Sequence, residues 1–355
     1  MSQLLGLRQL PDKSGDWGIL LPRQKEHIAA HVPAAHDAIG HIDPAALQFV
    51  GNDFDDMTRG YGVALGSFMA LFSAISTLVL APQLLSQDLA WVEFIVLPLL
   101  LVGTPIGFAT WALRSARAPF REPFVLSRKL RRFYVWVDVR QGWRSWSYDG
   151  LIPFTQVNRL VTTAGASTIY ALRLAVIDPE TREIKETITP GPLSRTPESC
   201  GQLWEFIRRY MDGLPNELPP VRLLPGPAER AADLARFDRR FMAIVSPQHQ
   251  IAPGILPKLF FWFWAVAEYW QMRAMAWVQR TAPRPERPAE LNAALLWDGP
   301  NPYRVLESTD EELLARTGRL PRLRVRWQVA GILASLLYGS VFVAMTLGIV
   351  STAWR

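Results

Sequence analysis

The chain has 355 residues, a net charge of +6, a hydrophobic fraction of 49% and a mean hydropathy of +0.07, too apolar for an ordinary soluble protein and too polar for a transporter, so it reads as membrane spans joined to a soluble part. Its single cysteine, Cys200, excludes an internal disulfide framework and a cysteine-based zinc site. The basic balance, with a pI of about 9.7, fits either nucleic-acid binding or arginines gathered beside a bilayer, and the distribution of charge decides between them.

Residues 1–59 read as a polar N-terminal arm. The start, "MSQLLGLRQLPDKSGDW", has no apolar run of signal-peptide length, so the N-terminus is expected to stay in the cytoplasm. His27 and His31 share a helical face at a spacing of four, as two zinc ligands do. Glu26 precedes His27, however, so the order of an HExxH motif is missing. No metal is assigned to the pair. Asp53, Asp55 and Asp56 have the form of half a calcium loop without its glycine or closing glutamate, and read as a polar approach to the first span.

A helix needs about 20 residues to cross a hydrocarbon core of about 30 Å. Gly60 to Gln87, Phe94 to Leu113 and Trp327 to Trp354 each run that far without a charged residue. They predict a transmembrane hairpin over 60–113, with spans at about 61–82 and 94–113, and a C-terminal span over 327–354. Gly62, Gly66, Ser67, Ala70, Ser73 and Ala74 give the first span small residues at spacings that let helices approach closely. Pro98 and Pro105 are tolerated in the second where neighbours satisfy the freed carbonyls.

Arg114, Arg117, Arg121, Arg128, Lys129, Arg131 and Arg132 follow the hairpin, and Arg316, Arg319, Arg322, Arg324 and Arg326 precede the last span, whereas the hairpin tip carries Asp88 and Glu93 and no basic residue. The positive-inside rule therefore places the N-terminus and the large middle region in the cytoplasm and the hairpin and C-terminal tips on the opposite side, in a multi-pass protein. The nucleic-acid reading loses its support, and the bilayer becomes the expected partner. Arg114, Arg117, Arg322, Arg324 and Arg326 are assigned to the membrane interface. Arg128, Lys129, Arg131 and Arg132 meet headgroups, a partner's acidic face, or only solvent on a strand.

From Phe124 the pattern turns to short strands rich in aromatic and β-branched residues, with "DPETRE" from Asp178 as a hairpin turn. A helix follows, with Thr196 as cap, Pro197 in its first position, Glu198 at the positive end, and Leu203, Phe206, Ile207 and Tyr210 on one face; Trp204 flanks that face. Cys200 lies in its first turn, where the helix dipole can lower a thiol pKa, but it has no histidine near it in sequence and reads as a part-buried small residue. Antiparallel strands followed by one amphipathic helix, over about 120–214, give the order of a pleckstrin-homology-like domain.

Residues 215–326 read as linker and helices. A charged helix is expected over 228–244 and an aromatic one over about 256–280, with Trp262, Trp264 and Trp270 as interfacial anchors. The alternatives for this segment are a helix buried against the sheets and a fourth span carrying Glu268 and Arg273. "APRPERPAE" is a proline-rich linker, and a surface helix capped by Ser308 or Thr309 leads to the last span. The fold class is thus an α+β membrane protein: a transmembrane hairpin, a cytoplasmic antiparallel β domain with a C-terminal helix, a helical segment and a terminal span.

The sequence carries no phosphate-binding glycine loop and no nucleophile elbow, and no cofactor is implied. The expectation is a non-enzyme. The hairpin opening at "RGYG", the basic "SRKLRRFYVW" strand and the segment with Trp146, Tyr148, Asp149, Leu151, Ile152, Pro153 and Phe154 together resemble a group of uncharacterised proteobacterial membrane proteins often encoded beside type VI secretion effectors, over roughly residues 52–213. The resemblance implies the bacterial inner membrane, with the C-terminal tip in the periplasm, and a role in toxin traffic: an immunity protein against a cognate toxin, or an effector-loading adaptor touching a secretion component. A lipid- or protein-binding scaffold and a small transporter component are the rival classes. The sequence does not encode a readable oligomeric state.

Overall fold

A computed structural model describes residues 8–9, 17–24, 31–36, 38–50, 53–84, 91–119, 124–162, 165–178, 180, 184–194, 196–224, 255–307, 310, 313–314 and 319–353, with side chains at somewhat fewer positions. His27, the expected charged helix at 228–244, the hairpin tip at 85–90 and most of the expected surface helix after residue 307 lie outside the described residues, as do the side chains of Asp53, Asp55 and Asp56. The chain divides into two compact units, one formed by Met1–Asn52, Arg121–Gly226 and Arg284–Ser308, the other by Asp53–Phe120, Pro227–Pro283 and Thr309–Arg355.

The first unit holds every described strand: β1 (Arg8–Gln9), β2 (Trp17–Leu20), β3 (Ile39–Ile42), β4 (Ala46–Phe49), β5 (Val125–Ser127), β6 (Arg132–Asp138), β7 (Gly142–Ser147), β8 (Leu151–Thr162), β9 (Gly165–Ile177) and β10 (Ile184–Ile188). They form two five-stranded sheets, ordered β1-β2-β8-β9-β10 and β3-β4-β5-β6-β7, with every neighbouring pair antiparallel. β8 and β9 pair from Leu151 opposite Val176 to Thr162 opposite Gly165. β9 and β10 pair as the expected turn requires, and Asp178 holds it by accepting from the Glu180 amide at 2.9 Å. A 3-10 turn, Tyr148–Gly150, carries the chain from one sheet to the other.

The segment read as a polar arm contributes four of these strands. Leu20 pairs with Phe154 and Leu47 with Leu126, so both sheets draw strands from either side of the predicted hairpin. Helix α3 (Pro197–Asp212) shares one core with both sheets, among Leu47, Phe49, Leu126, Phe133, Leu172 and Leu174. The predicted face of Leu203, Phe206, Ile207 and Tyr210 is buried. Trp204, expected at its flank, is only 1% exposed, because its ring lies against Tyr148 and its Nε1 donates to Pro22 O. Thr196 stands at the N-cap position without bonding the helix amides; its hydroxyl lies 2.9 Å from that of Ser199 instead. Gly213 closes the helix with its amide on Arg209 O.

In the second unit, α1 (Asp53–Leu84) and α2 (Trp91–Arg117) pack together. Gly66 on α1 faces Ala112, Gly62 faces Ser115, and Thr77 Oγ1 donates to Leu101 O at 2.7 Å. This is the close approach that the small-residue spacing predicts. Two shorter helices follow, α4 (Ile255–Ala267) and α5 (Tyr269–Thr281). A short helix of the first unit, α6 (Ala289–Ala294), precedes the 33-residue α7 (Pro321–Ala353). Thr58–Ala81 of α1 and Leu323–Gly348 of α7 are long and apolar enough to cross a membrane, with mean hydropathies of 2.1 and 1.9. In an 18-residue apolar stretch of each, only 6% and 17% of the residues are buried, unlike a core helix of a soluble protein. The other expected span is the 27-residue α2, whose first turns lie outside the described side chains.

Candidate functional site

The basic turn between β5 and β6 divides its arginines between two uses. Arg128 turns inward, donating from Nη2 to Gly213 O at 2.9 Å, from Nη1 to the Tyr303 hydroxyl at 3.0 Å and from Nε to Met211 O at 3.4 Å. Its guanidinium lies 5.8 Å from the centre of the Tyr210 ring. A cation on the last carbonyls of α3 also suits the negative end of the helix dipole. Arg131, with φ of +49°, grips Asp149 through two bonds of 2.9 and 2.7 Å and Asp212 through one of 2.7 Å, over the Tyr148 ring. These two arginines fasten the end of α3 to the corner where the chain changes sheets. Lys129 and Arg132 are exposed. Tyr148 and Asp149, quoted for the family resemblance, are thus partners in a structural clamp.

A buried polar network continues from it. Asp43 Oδ1 accepts from the Ala45 and Ala46 amides at 2.7 and 2.8 Å, and Tyr210 donates to Asp43 O at 2.9 Å. Asn301 Nδ2 donates to Ile42 O, and the Tyr303 ring stacks 5.6 Å from Tyr210. Burial pushes the Tyr148 and Tyr210 phenols well above their ordinary value of 10.0. Above pH 10 the unfolded chain therefore ionises while the folded chain does not, and each tyrosine removes about 1.4 kcal/mol of stability per further pH unit. Alkaline titration is expected to unfold the strands, seen by far-UV circular dichroism, with phenolate absorbance rising in step. A full phenolate signal near pH 10 with intact strands would contradict it.

Cys200 is 3% exposed, and burial pushes its thiol up to about 12, against a smaller opposing effect of the neighbouring Thr155 side chain. The small residue expected to be part-buried is thus fully buried, in the core shared with α3, where desolvation disfavours the thiolate. His31 packs its ring against Gly201, and His36 Nε2 lies 2.6 Å from Gln202 Oε1. Among the described residues no group of three histidine, cysteine, aspartate or glutamate side chains could hold a metal.

The expected single aromatic helix is broken at Glu268 into α4 and α5, each of 13 residues. At about 20 Å neither half crosses a bilayer. Trp262 packs against Ala265, Leu323, Trp327 and Ala330, Trp270 is exposed, and the Trp264 side chain lies outside the described set. The break is dressed by polar groups. Tyr338 on α7 donates to Ala267 O at 2.5 Å, and Tyr61 on α1 to Glu268 Oε1 at 3.4 Å. The Gln271 amide lies 3.0 Å from Ala267 O and 3.1 Å from Glu268 O. Tyr61, Glu268, Gln271, Met272 and Met275 line a small cleft of about 10 Å³.

Arg114 and Arg117 are exposed in the last turn of α2. The last carbonyls there are bound by Arg59, which donates to Ala118 O, to Pro119 O at 3.2 Å and to Ser115 O at 3.4 Å, a capping role the sequence reading missed. Arg324 is exposed and Arg326 half-buried at the start of α7; the Arg322 side chain lies outside the described set.

A family model described as a family of unknown function, DUF6708, matches residues 107–295, more than half of the chain. The chain belongs to DUF6708. No curated protein and no solved structure matches it. The DUF6708 stretch begins within α2 and takes in β5 to β10 and α3 to α6. It leaves out β1 to β4, all of α1, the first part of α2 and all of α7. Arg128, Arg131, Asp149, Asp212 and Glu268 all fall inside the DUF6708 stretch, whereas Tyr61, Tyr303 and Tyr338 fall outside it.

Proposed function

We propose that this DUF6708 protein is a non-enzymatic, multi-pass accessory protein of the bacterial inner membrane that holds a pleckstrin-homology-like docking domain at the cytoplasmic face. Its most specific form is an immunity protein that protects against a cognate type VI secretion toxin. The observation that carries the membrane part is the long apolar run in each of α1 and α7, in whose 18-residue apolar stretch only 6% and 17% of the residues are buried. Exposing that much hydrocarbon-like surface to water is unfavourable by about 25 cal/mol per Å². Arginines at the start of α7 and the end of α2 support the cytoplasmic placement of the sheet unit. Two antiparallel sheets with α3 in their shared core support the docking-domain reading. The immunity role rests on the sequence resemblance. An effector-loading adaptor is the alternative within the same locus, and a lipid- or protein-binding scaffold the one outside it.

Cells carrying this protein are expected to survive expression of the toxin encoded beside its gene, while cells lacking it die. Equal survival removes the immunity role. Carbonate-washed membranes are expected to retain the intact chain, and recovery in the soluble fraction without detergent removes the membrane reading.

A further inference from the structure

The second sheet buries one face in the shared core and part of the other. Leu47, Phe49, Leu126 and Phe133 face the shared core. By the alternation of a strand, Ala46, Val125, Tyr134, Trp136 and Trp143 take the opposite face. Ala46, Val125 and Tyr134 are nevertheless 1%, 0% and 4% exposed. What covers them is residues 284–295, the proline-rich linker and α6. Leu291 is wholly buried on Ala46, Val125 and Tyr134, with Leu130, Trp143 and Leu295 around it. Trp143 Nε1 donates to Glu286 O at 2.9 Å, and the Tyr134 hydroxyl to Glu290 Oε1 at 2.5 Å. Pro288, at φ −54° and ψ 141°, has the dihedrals of a polyproline stretch. An indole N–H on a backbone carbonyl of an extended proline-rich segment is how aromatic-floored grooves take such peptides. Trp136 stacks edge-on to Trp143 at 6.1 Å and extends the aromatic floor.

We infer that the outer face of the second sheet is a peptide-docking groove, closed here by the chain's own strap, and that it takes a partner segment of the same chemistry: an extended proline-rich stretch followed by a glutamate and leucine on a helical turn. The partner displaces residues 284–295 and frees the linker that leads from α5. This inference rests on the docking reading and names the partner's chemistry. Its test needs neither toxin nor bilayer, so the two fail separately.

The probe is a labelled synthetic peptide with the sequence of residues 283–297, added to the detergent-solubilised full chain and followed by fluorescence anisotropy. Leu291→Asp in the protein is expected to release the strap and leave the groove open, so that this variant binds the peptide at least about tenfold more tightly than the wild type, whose groove is occupied. Adding Trp143→Ala to it is expected to abolish that binding, as is placing Leu291→Asp in the peptide. A folded Leu291→Asp protein that binds no better than the wild type overturns the proposal. A second measurement serves if that variant does not fold. Excess peptide on the wild type is expected to speed hydrogen exchange at the amides of residues 289–295, and unchanged exchange under saturating peptide overturns it equally.

Discussion

Replacing Trp204 with alanine is expected to destabilise the two-sheet unit by about 3–5 kcal/mol. Three observations set that size. The side chain is 1% exposed, so its whole volume becomes a cavity. Its ring lies 6.0 Å from that of Tyr148, at the corner where the chain changes sheets. Its Nε1 donates to Pro22 O at 2.7 Å, which ties α3 to the residues following β2. Alanine leaves that buried carbonyl without its donor, a loss of about 1–3 kcal/mol in itself. Small domains are stable by about 5–15 kcal/mol, so the variant loses a large share of its margin. Trp204→Phe keeps most of the volume and loses mainly the hydrogen bond, and is expected to fall between the two. Every described strand belongs to this unit, so the strand signal in circular dichroism during a urea titration of the solubilised chain reports it selectively. A midpoint for Trp204→Ala equal to that of the wild type contradicts this account of the core.

What could be read in advance follows from how locally each element is encoded. The apolar helices were legible because they need only length and the absence of charge, and α3 because its period and its proline and glycine punctuation lie within 17 residues, Pro197 to Gly213. β2, β3 and β4 were not legible. Each has four residues, too few for alternation to show, and β2 and β4 find partners in Phe154 and Leu126, far along the chain beyond α1 and α2. The same distance hid the clamp. A turn of four basic residues beside a membrane segment looks alike whether it faces headgroups or carboxylates, and Asp212 lies 81 residues from Arg131. Cys200, read as a part-buried small residue, is fully enclosed, because the part of α3 that carries it enters a core whose other walls come from distant strands. Glu268 gave the one hint of the broken helix. A charge inside an apolar run signals a change of environment, and the chain meets it by ending one helix and starting another.

Gly60→Leu is expected to force apart the helices around that break, whereas Gly107→Leu is expected to leave them unchanged. A β-carbon on Gly60 would stand 2.6 Å from Gln271 O and 2.8 Å from Met275 Cβ, closer than such atoms approach. One contact is backbone and the other the root of a side chain on α5, so neither can swing away. Leucine adds further carbons to the same point, and α1 and α5 have to separate. Overpacking of this kind costs about 1–3 kcal/mol. Here it also draws Tyr61, the next residue, away from the Glu268 carboxylate it meets at 3.4 Å. Gly107 on α2 has nothing within 4 Å of its would-be β-carbon, and replacing a glycine inside a helix favours the helix by up to about 1 kcal/mol. The pair therefore separates packing from composition, since both variants add the same side chain to an apolar helix. Heating the solubilised full chain and scoring the monodisperse fraction by size-exclusion chromatography is expected to show Gly60→Leu lost several degrees below the wild type and Gly107→Leu lost with it. Equal melting of the two variants would mean that α1 and α5 do not meet at Gly60, and the polar dressing of Glu268 by Tyr61 would fall with that contact.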